Sequence, residues 1–175
     1  MTEFDVLILP GWQSSGPLHW QSRWEALHGY RRVEQHDWLR PLRGDWIARL
    51  EEVLLARAVP VWLVSHSLGC LLVAAWAAHS RQTARVAGAL LVAPADPELP
   101  ALRPLLRSWA PVQQTRLPFP ALLLGSSNDP TAAWRGRSSS PVTGVLVLLV
   151  WARAATSMPS QAWATGPKDW RVCTH

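Results

Sequence analysis

The residues with the strongest claim to chemistry are Ser65-His66-Ser67-Leu68-Gly69. A serine acts as a nucleophile when its hydroxyl is exposed, a base takes its proton and donors hold the oxyanion that forms on attack. S-H-S-L-G is a close variant of G-x-S-x-G, in which the serine occupies a strained turn between a strand and a helix. Small neighbours are needed because that turn packs tightly; Gly69 supplies one, and Ser65, in place of the usual first glycine, is still small. The alternative reading is a buried strand that ends in a serine helix cap. The flanks favour the elbow. Val61-Trp62-Leu63-Val64 reads as a buried strand, and the run from Leu71 to Ala78 as a helix. The first amides of that helix point toward developing negative charge, with Leu68 giving one backbone oxyanion donor.

Two other stretches could complete such a site. Phe4 to Leu9 reads as a first strand ending at the turn signal Pro10-Gly11. The loop beyond it places Gly11-Trp12 where a second oxyanion amide is usually supplied, unless it is an ordinary strand-to-helix turn. Phe119 to Gly125 reads as another buried strand, ending in Ser126-Ser127-Asn128-Asp129-Pro130. Asp129 then follows the serine in the chain order used by this kind of triad, and an acid there can orient an imidazolium. The alternative is an aspartate that shapes a turn before proline. Asp96, after the strand Arg85 to Ala93, is a less favoured acid. His19 reads as a loop or helix-start residue. His36 and Asp37 are neighbours on an extended chain, so their side chains point apart and the pair reads as structural.

The elements around these residues alternate. A helix is expected from Leu18 to His28, with Trp20, Trp24 and Leu27 on its buried face. Arg31 to Gln35 reads as a short strand. A second helix runs from Asp45, capped by Asp45 or Gly44, to about Ala58, with Trp46, Ile47, Leu50, Val53 and Leu54 in a stripe. The proline-rich stretch from Pro97 to Pro120 holds a short helix near Leu102 to Trp109 and lies where a lid or substrate loop would. The predicted class is α/β, a mostly parallel sheet with helices on both faces and ligands bound beyond the carboxyl ends of the strands.

Composition narrows the function. The 175 residues, 49% apolar, suit one domain with a sizeable core. The net charge of +5 is uneven: residues 1–131 carry twelve basic against eleven acidic side chains, and residues 132–175 five against one. Without a basic run or patch motif this argues against a nucleic-acid partner. No stretch reaches membrane-spanning length, and no secretory leader is visible. Cys70 and Cys173 do not make a disulfide framework, so a reducing cytoplasm is expected, with Cys70 packed in the elbow helix.

Four segments together resemble the small YdeN-type serine hydrolases, a compact branch of the α/β hydrolases: Leu9 to Glu25 (LPGWQSSGPLHWQSRWE), Ser65 to Cys70 (SHSLGC), Val92 to Asp96 (VAPAD) and Leu117 to Pro130 (LPFPALLLGSSNDP). The resemblance covers about three quarters of the chain. It implies Ser67 as nucleophile, Asp129 as triad acid, and hydrolysis of ester-type bonds of a small acyl substrate without metal or organic cofactor. It also implies a histidine in a G-H-I-N-type segment some 25–30 residues after the aspartate, as general base. The chain has no histidine between His79 and His175; that region reads Val150 to Ser160, VWARAATSMPS.

The genetic code offers an explanation. When the third base of each codon is joined to the first two bases of the next, Ala154 to Pro167 can spell G-H-I-N-A-E-S-G-L-G-D-W-P. Met158 followed by Pro159 allows alanine alone at its position, and the fit persists through it. Residues 1–131 are therefore read as the hydrolase core, and residues 132–175 as a divergent tail whose frame shifts near Thr131–Trp134. In that tail Val145 to Val150 is expected to pair as an edge strand, and Arg153 to His175 to be poorly ordered. The functional expectation is a carboxylester-type serine hydrolase impaired by the missing histidine. Its rival is an inactive hydrolase fold that binds a partner through its tryptophan-rich surface; a thioesterase or acyltransferase would share the site.

Overall fold

The computed structural model describes residues 4–125 and the strand Val145–Val147. Asp129, Cys173 and the rest of the tail lie outside the described residues. The element order is β1 (Asp5–Leu9), α1 (Trp20–His28), β2 (Arg31–Arg32), α2 (Arg43–Leu55), β3 (Val61–His66), α3 (Leu68–His79), β4 (Val86–Val92), β5 (Ala121–Leu124) and β6 (Val145–Val147). Among the described residues the six strands form one sheet of order β2-β1-β3-β4-β5-β6, and every pair is parallel. This is the expected α/β class. The edge strand expected in the tail is present as β6, in register with β5.

Parallel strands buried on both faces need helices on both sides. Alternate residues of β3 divide accordingly. Val61 and Leu63 join the main core with Leu7, Leu9, Trp46, Leu50, Leu54, Leu72 and Trp76, under α2 and α3. Val64 faces the other way and joins Ile8 and Trp24 beneath α1.

Four local readings change. The buried face of α1 is Gln21 and Trp24, whereas Leu27 is 63% exposed, because a glutamine with internal hydrogen-bond partners takes the core position. α2 starts at Arg43 after Leu42, which makes no side-chain cap bond; Asp45 sits in the first turn, where its charge suits the helix dipole. β2 is two residues long. The Pro97–Pro120 stretch is mostly turns, with a short 3₁₀ helix at Arg107–Trp109. It is tied down by buried Leu106, Trp109, Leu117 and Phe119 in the main core, and Trp109 Nε1 donates to the Pro41 carbonyl at 2.7 Å.

Candidate functional site

β3 runs into α3 through Ser67 alone, and that residue has φ 53° and ψ −117°. A non-glycine residue holds a positive φ only where its surroundings impose it, at a cost of about 1–3 kcal/mol. The surroundings do so here. The Ser67 N–H donates to the Val92 carbonyl at the end of β4 (3.0 Å), and the Cys70 N–H donates back to the Ser67 carbonyl (3.1 Å). Ser67 is half-buried.

The small residues around the turn have separate jobs. A Cβ on Gly69 would lie 2.3 Å from the Leu9 carbonyl oxygen, so its bare Cα lets α3 pack directly on the end of β1. Ser65 is fully buried and its hydroxyl donates to the Leu90 carbonyl on β4 (3.1 Å), with Cys70 Sγ at 3.4 Å. A serine is accepted at the usual glycine position because its one polar atom is satisfied across the sheet. Cys70 lies buried in α3 as expected; its Sγ donates to the Val92 carbonyl, and burial pushes the thiol up to about 12.

Opposite Ser67 stands the loop after β1. A Cβ on Gly11 would sit 2.8 Å from Ser67 Cβ and 3.2 Å from its Oγ. Gly11 thus lies close beside the serine side chain, with no room for a side chain of its own. The next two amides are spent: Gln13 N–H donates to the Trp38 carbonyl and Ser14 N–H to the Gly11 carbonyl, both at 3.1 Å. Among the described residues no hydrogen bond engages the backbone N–H of Trp12 or of Leu68, the first residue of α3. The Trp12 indole donates to the Leu39 carbonyl at 3.0 Å and anchors the loop from outside.

His19 is the N-cap of α1, its Nδ1 accepting from the Gln21 N–H at 3.3 Å. Its ring stands edge-on to that of His66 at 4.7 Å. Burial, and then the Arg32 charge, hold its pKa below the ordinary imidazole value; Glu25 acts weakly the other way. Asp37 accepts from the Leu39 and Arg40 amides, and those bonds lower its pKa; Asp96 accepts from the Glu98 amide. Both carboxylates therefore shape turns. The described residues thus place Gly11 beside the Ser67 side chain, with Trp12 next to Gly11 and Leu68 next to Ser67 in the chain, while Asp129 lies outside them.

Sequence reasoning missed Gln21 and Arg32. Fully buried Gln21 donates from Nε2 to the Leu9 and Val64 carbonyls and accepts from Ser15 Oγ. Arg32 forms a fork on Glu25 and reaches Ser14 Oγ, the Ser15 carbonyl and Ser22 Oγ. The available signal was a polar residue on the helix face that carries Trp24.

The serine hydrolase family model matches residues 6–145, ending before the stretch where a triad histidine is expected. Among solved structures the chain is similar to a YdeN-like hydrolase from Pectobacterium atrosepticum, with 28% identity and a TM-score of 0.62 over 74% of this chain and 66% of that one. It thus spans just under two thirds of that protein. It is also similar to the ydeN gene product from B. subtilis (20% identity, TM-score 0.57, 74% and 75% covered). A third likeness is to YbtT, a type II thioesterase of the yersiniabactin pathway (20% identity, TM-score 0.54, 85% of each chain). The last two establish the fold alone. No curated protein matches the chain.

Proposed function

The chain belongs to the serine hydrolase family, and on that premise we propose that Ser67 is the nucleophile of a carboxylester-type hydrolase. The observation that carries this is the positive-φ turn of Ser67 with the Gly11 backbone against its side chain. Ser67 Oγ would attack the acyl carbon of a small ester. The Leu68 and Trp12 amides would hold the oxyanion, the alcohol would leave, and water would release the acid from the acyl-enzyme. The positive end of the α3 dipole, at Leu68, adds to that stabilisation. Asp129 would orient a histidine base.

That histidine is missing between His79 and His175, so the chain as written is an impaired hydrolase. Loss of a triad member typically leaves roughly 10³–10⁴-fold over water, from the oxyanion hole and binding. The same absence favours the second reading, a catalytically inactive hydrolase fold that binds a partner. We assign residues 1–131 to the hydrolase core and residues 132–175 to a tail in a shifted frame. Resequencing the DNA from the Asn128 to the Trp170 codons tests this, since one base inserted or deleted near Thr131–Trp134 restores the histidine. Among the described residues no helix is long and apolar enough to cross a membrane, and the buried free Cys70 fits a cytoplasmic setting.

The deciding experiment is labelling with a fluorophosphonate. Labelling of the wild type that disappears in Ser67→Ala supports the hydrolase. No labelling, together with saturable binding of a partner, supports the binding module. Comparison of thioester with oxygen-ester turnover distinguishes the acyl donors.

A further inference from the structure

We propose that Gln21 is a positioning residue that, with Arg32, fixes the loop offering the Trp12 amide over Ser67. The proposal rests on the reading of Ser67 as nucleophile. Gln21 has no exposed surface, and both ends of its amide are used. Nε2 donates to the carbonyl of Leu9, the last residue of β1, at 3.2 Å. It also donates to the carbonyl of Val64 on the nucleophile's own strand, at 3.1 Å. Oε1 accepts from Ser15 Oγ at 2.8 Å. One side chain therefore ties the entry of the loop, the far end of the loop and the strand that leads into Ser67.

Arg32 closes the arrangement from the other side. Its Nη1 donates to Ser14 Oγ at 2.9 Å and to the Ser15 carbonyl at 3.0 Å, while Nε and Nη2 hold Glu25 at 2.8 Å each. The loop needs this support. Gln13 and Ser14 have φ of 66° and 64°, left-handed conformations that non-glycine residues keep only when their surroundings fix them. An apolar side chain would fill the Gln21 site without a desolvation cost. The amide instead sets the separation of three backbone segments, two of which carry the proposed oxyanion donor and the nucleophile.

The test uses Gln21→Met, which removes all three bonds at similar volume, and Ser15→Ala, which removes only the tie to the loop. For each, the maximal inactivation rate and the half-saturating concentration of a fluorophosphonate are measured. Hydrogen exchange is followed over residues 11–16. The expected result is a maximal rate lower by roughly 10- to 100-fold, the scale of a misplaced group near the chemistry. The half-saturating concentration stays within about twofold, because the probe's own contacts are untouched. Exchange at Gln13 and Ser14 speeds up, and the urea midpoint of Ser15→Ala is unchanged. The proposal is overturned if Ser15→Ala and Gln21→Met both label at the wild-type rate, or if loop exchange is unaltered in both. Should the wild type not label at all, the reading of Ser67 fails, and the exchange rates alone decide the positioning claim.

Discussion

Replacing Gly69 with alanine puts a methyl group where there is no room, and the size of the effect follows from three distances. The new Cβ would lie 2.3 Å from the Leu9 carbonyl oxygen, 2.9 Å from that of Pro10 and 3.0 Å from the Leu9 carbonyl carbon. Carbon and oxygen settle at about 3.3–3.6 Å, so roughly 1 Å is missing. No side chain can rotate away, because the atoms met are backbone. β1 is held between β2 and β3, and α3 is pinned by buried Leu68, Leu72 and Trp76. Overpacking of this kind costs about 1–3 kcal/mol, a large part of a stability of about 5–15 kcal/mol. On an open helix the same change gains up to ~1 kcal/mol. Gly44, in α2, has no atom within 4 Å of its missing Cβ and serves as the control. Urea unfolding followed by tryptophan fluorescence reads both variants. Gly69→Ala should unfold at lower urea than the wild type and Gly44→Ala at higher. With slopes of about 1–3 kcal/mol per molar, the two midpoints should differ by about 1 M or more. A Gly69→Ala midpoint at or above the wild-type value would refute the reasoning.

Gly11→Ala brings a Cβ to 2.8 Å from Ser67 Cβ, short of the ~3.5–4.0 Å of a normal carbon contact. Fluorophosphonate labelling should fall on the order of 10²-fold, while Gly16→Ala, with nothing within 4 Å, should label as the wild type; equal rates for the two variants count against the site. The Cys70 thiol, raised to about 12 by burial, should resist iodoacetamide at pH 8 in the native protein and react in urea, as read by peptide mapping; rapid native alkylation contradicts its burial. Burial lowers the His19 pKa, so the unfolded chain takes up this proton near pH 6.5 and the folded protein only at lower pH. The stability His19 contributes is therefore complete above about pH 6.5 and declines as pH falls toward the folded value. His19→Asn keeps a capping side chain and should flatten that decline in urea midpoints measured across the range; an unchanged slope places the proton elsewhere.

The strand-to-helix turn at Ser67 was legible because three independent signals coincide within eighteen residues: a buried strand run, a small-residue pattern and a helical run. The parallel sheet followed from alternation alone. Gln21 was not legible, because hydrophobic periodicity has no means of showing a buried amide whose partners are the carbonyls of Leu9 and Val64, the second of them 43 residues away. For the same reason Leu27 was assigned to a face that is in fact exposed. In the Pro97–Pro120 stretch, Leu106, Trp109, Leu117 and Phe119 enter the core without a regular spacing, because turns rather than a helix deliver them. Arg32 reads in sequence only as part of the short strand Arg31 to Gln35, and the proximity of α1 to β2 makes it a clamp.

The strand order also bears on how the chain is made. β2 pairs with one side of β1 and β3 with the other; thereafter β4, β5 and β6 each add to the strand synthesised just before. A nascent chain released in order from the ribosome therefore always finds its next pairing edge already waiting, and the contact between Gly11 and Ser67 can close once α3 has emerged. Until the following strand arrives, that growing edge stays open to other chains. A product cut short after His79 would leave the edge of β3 that β4 covers, Val61 to His66, with its backbone N–H and C=O groups unpaired. It is this premature fragment, rather than the full chain, that should cluster during synthesis.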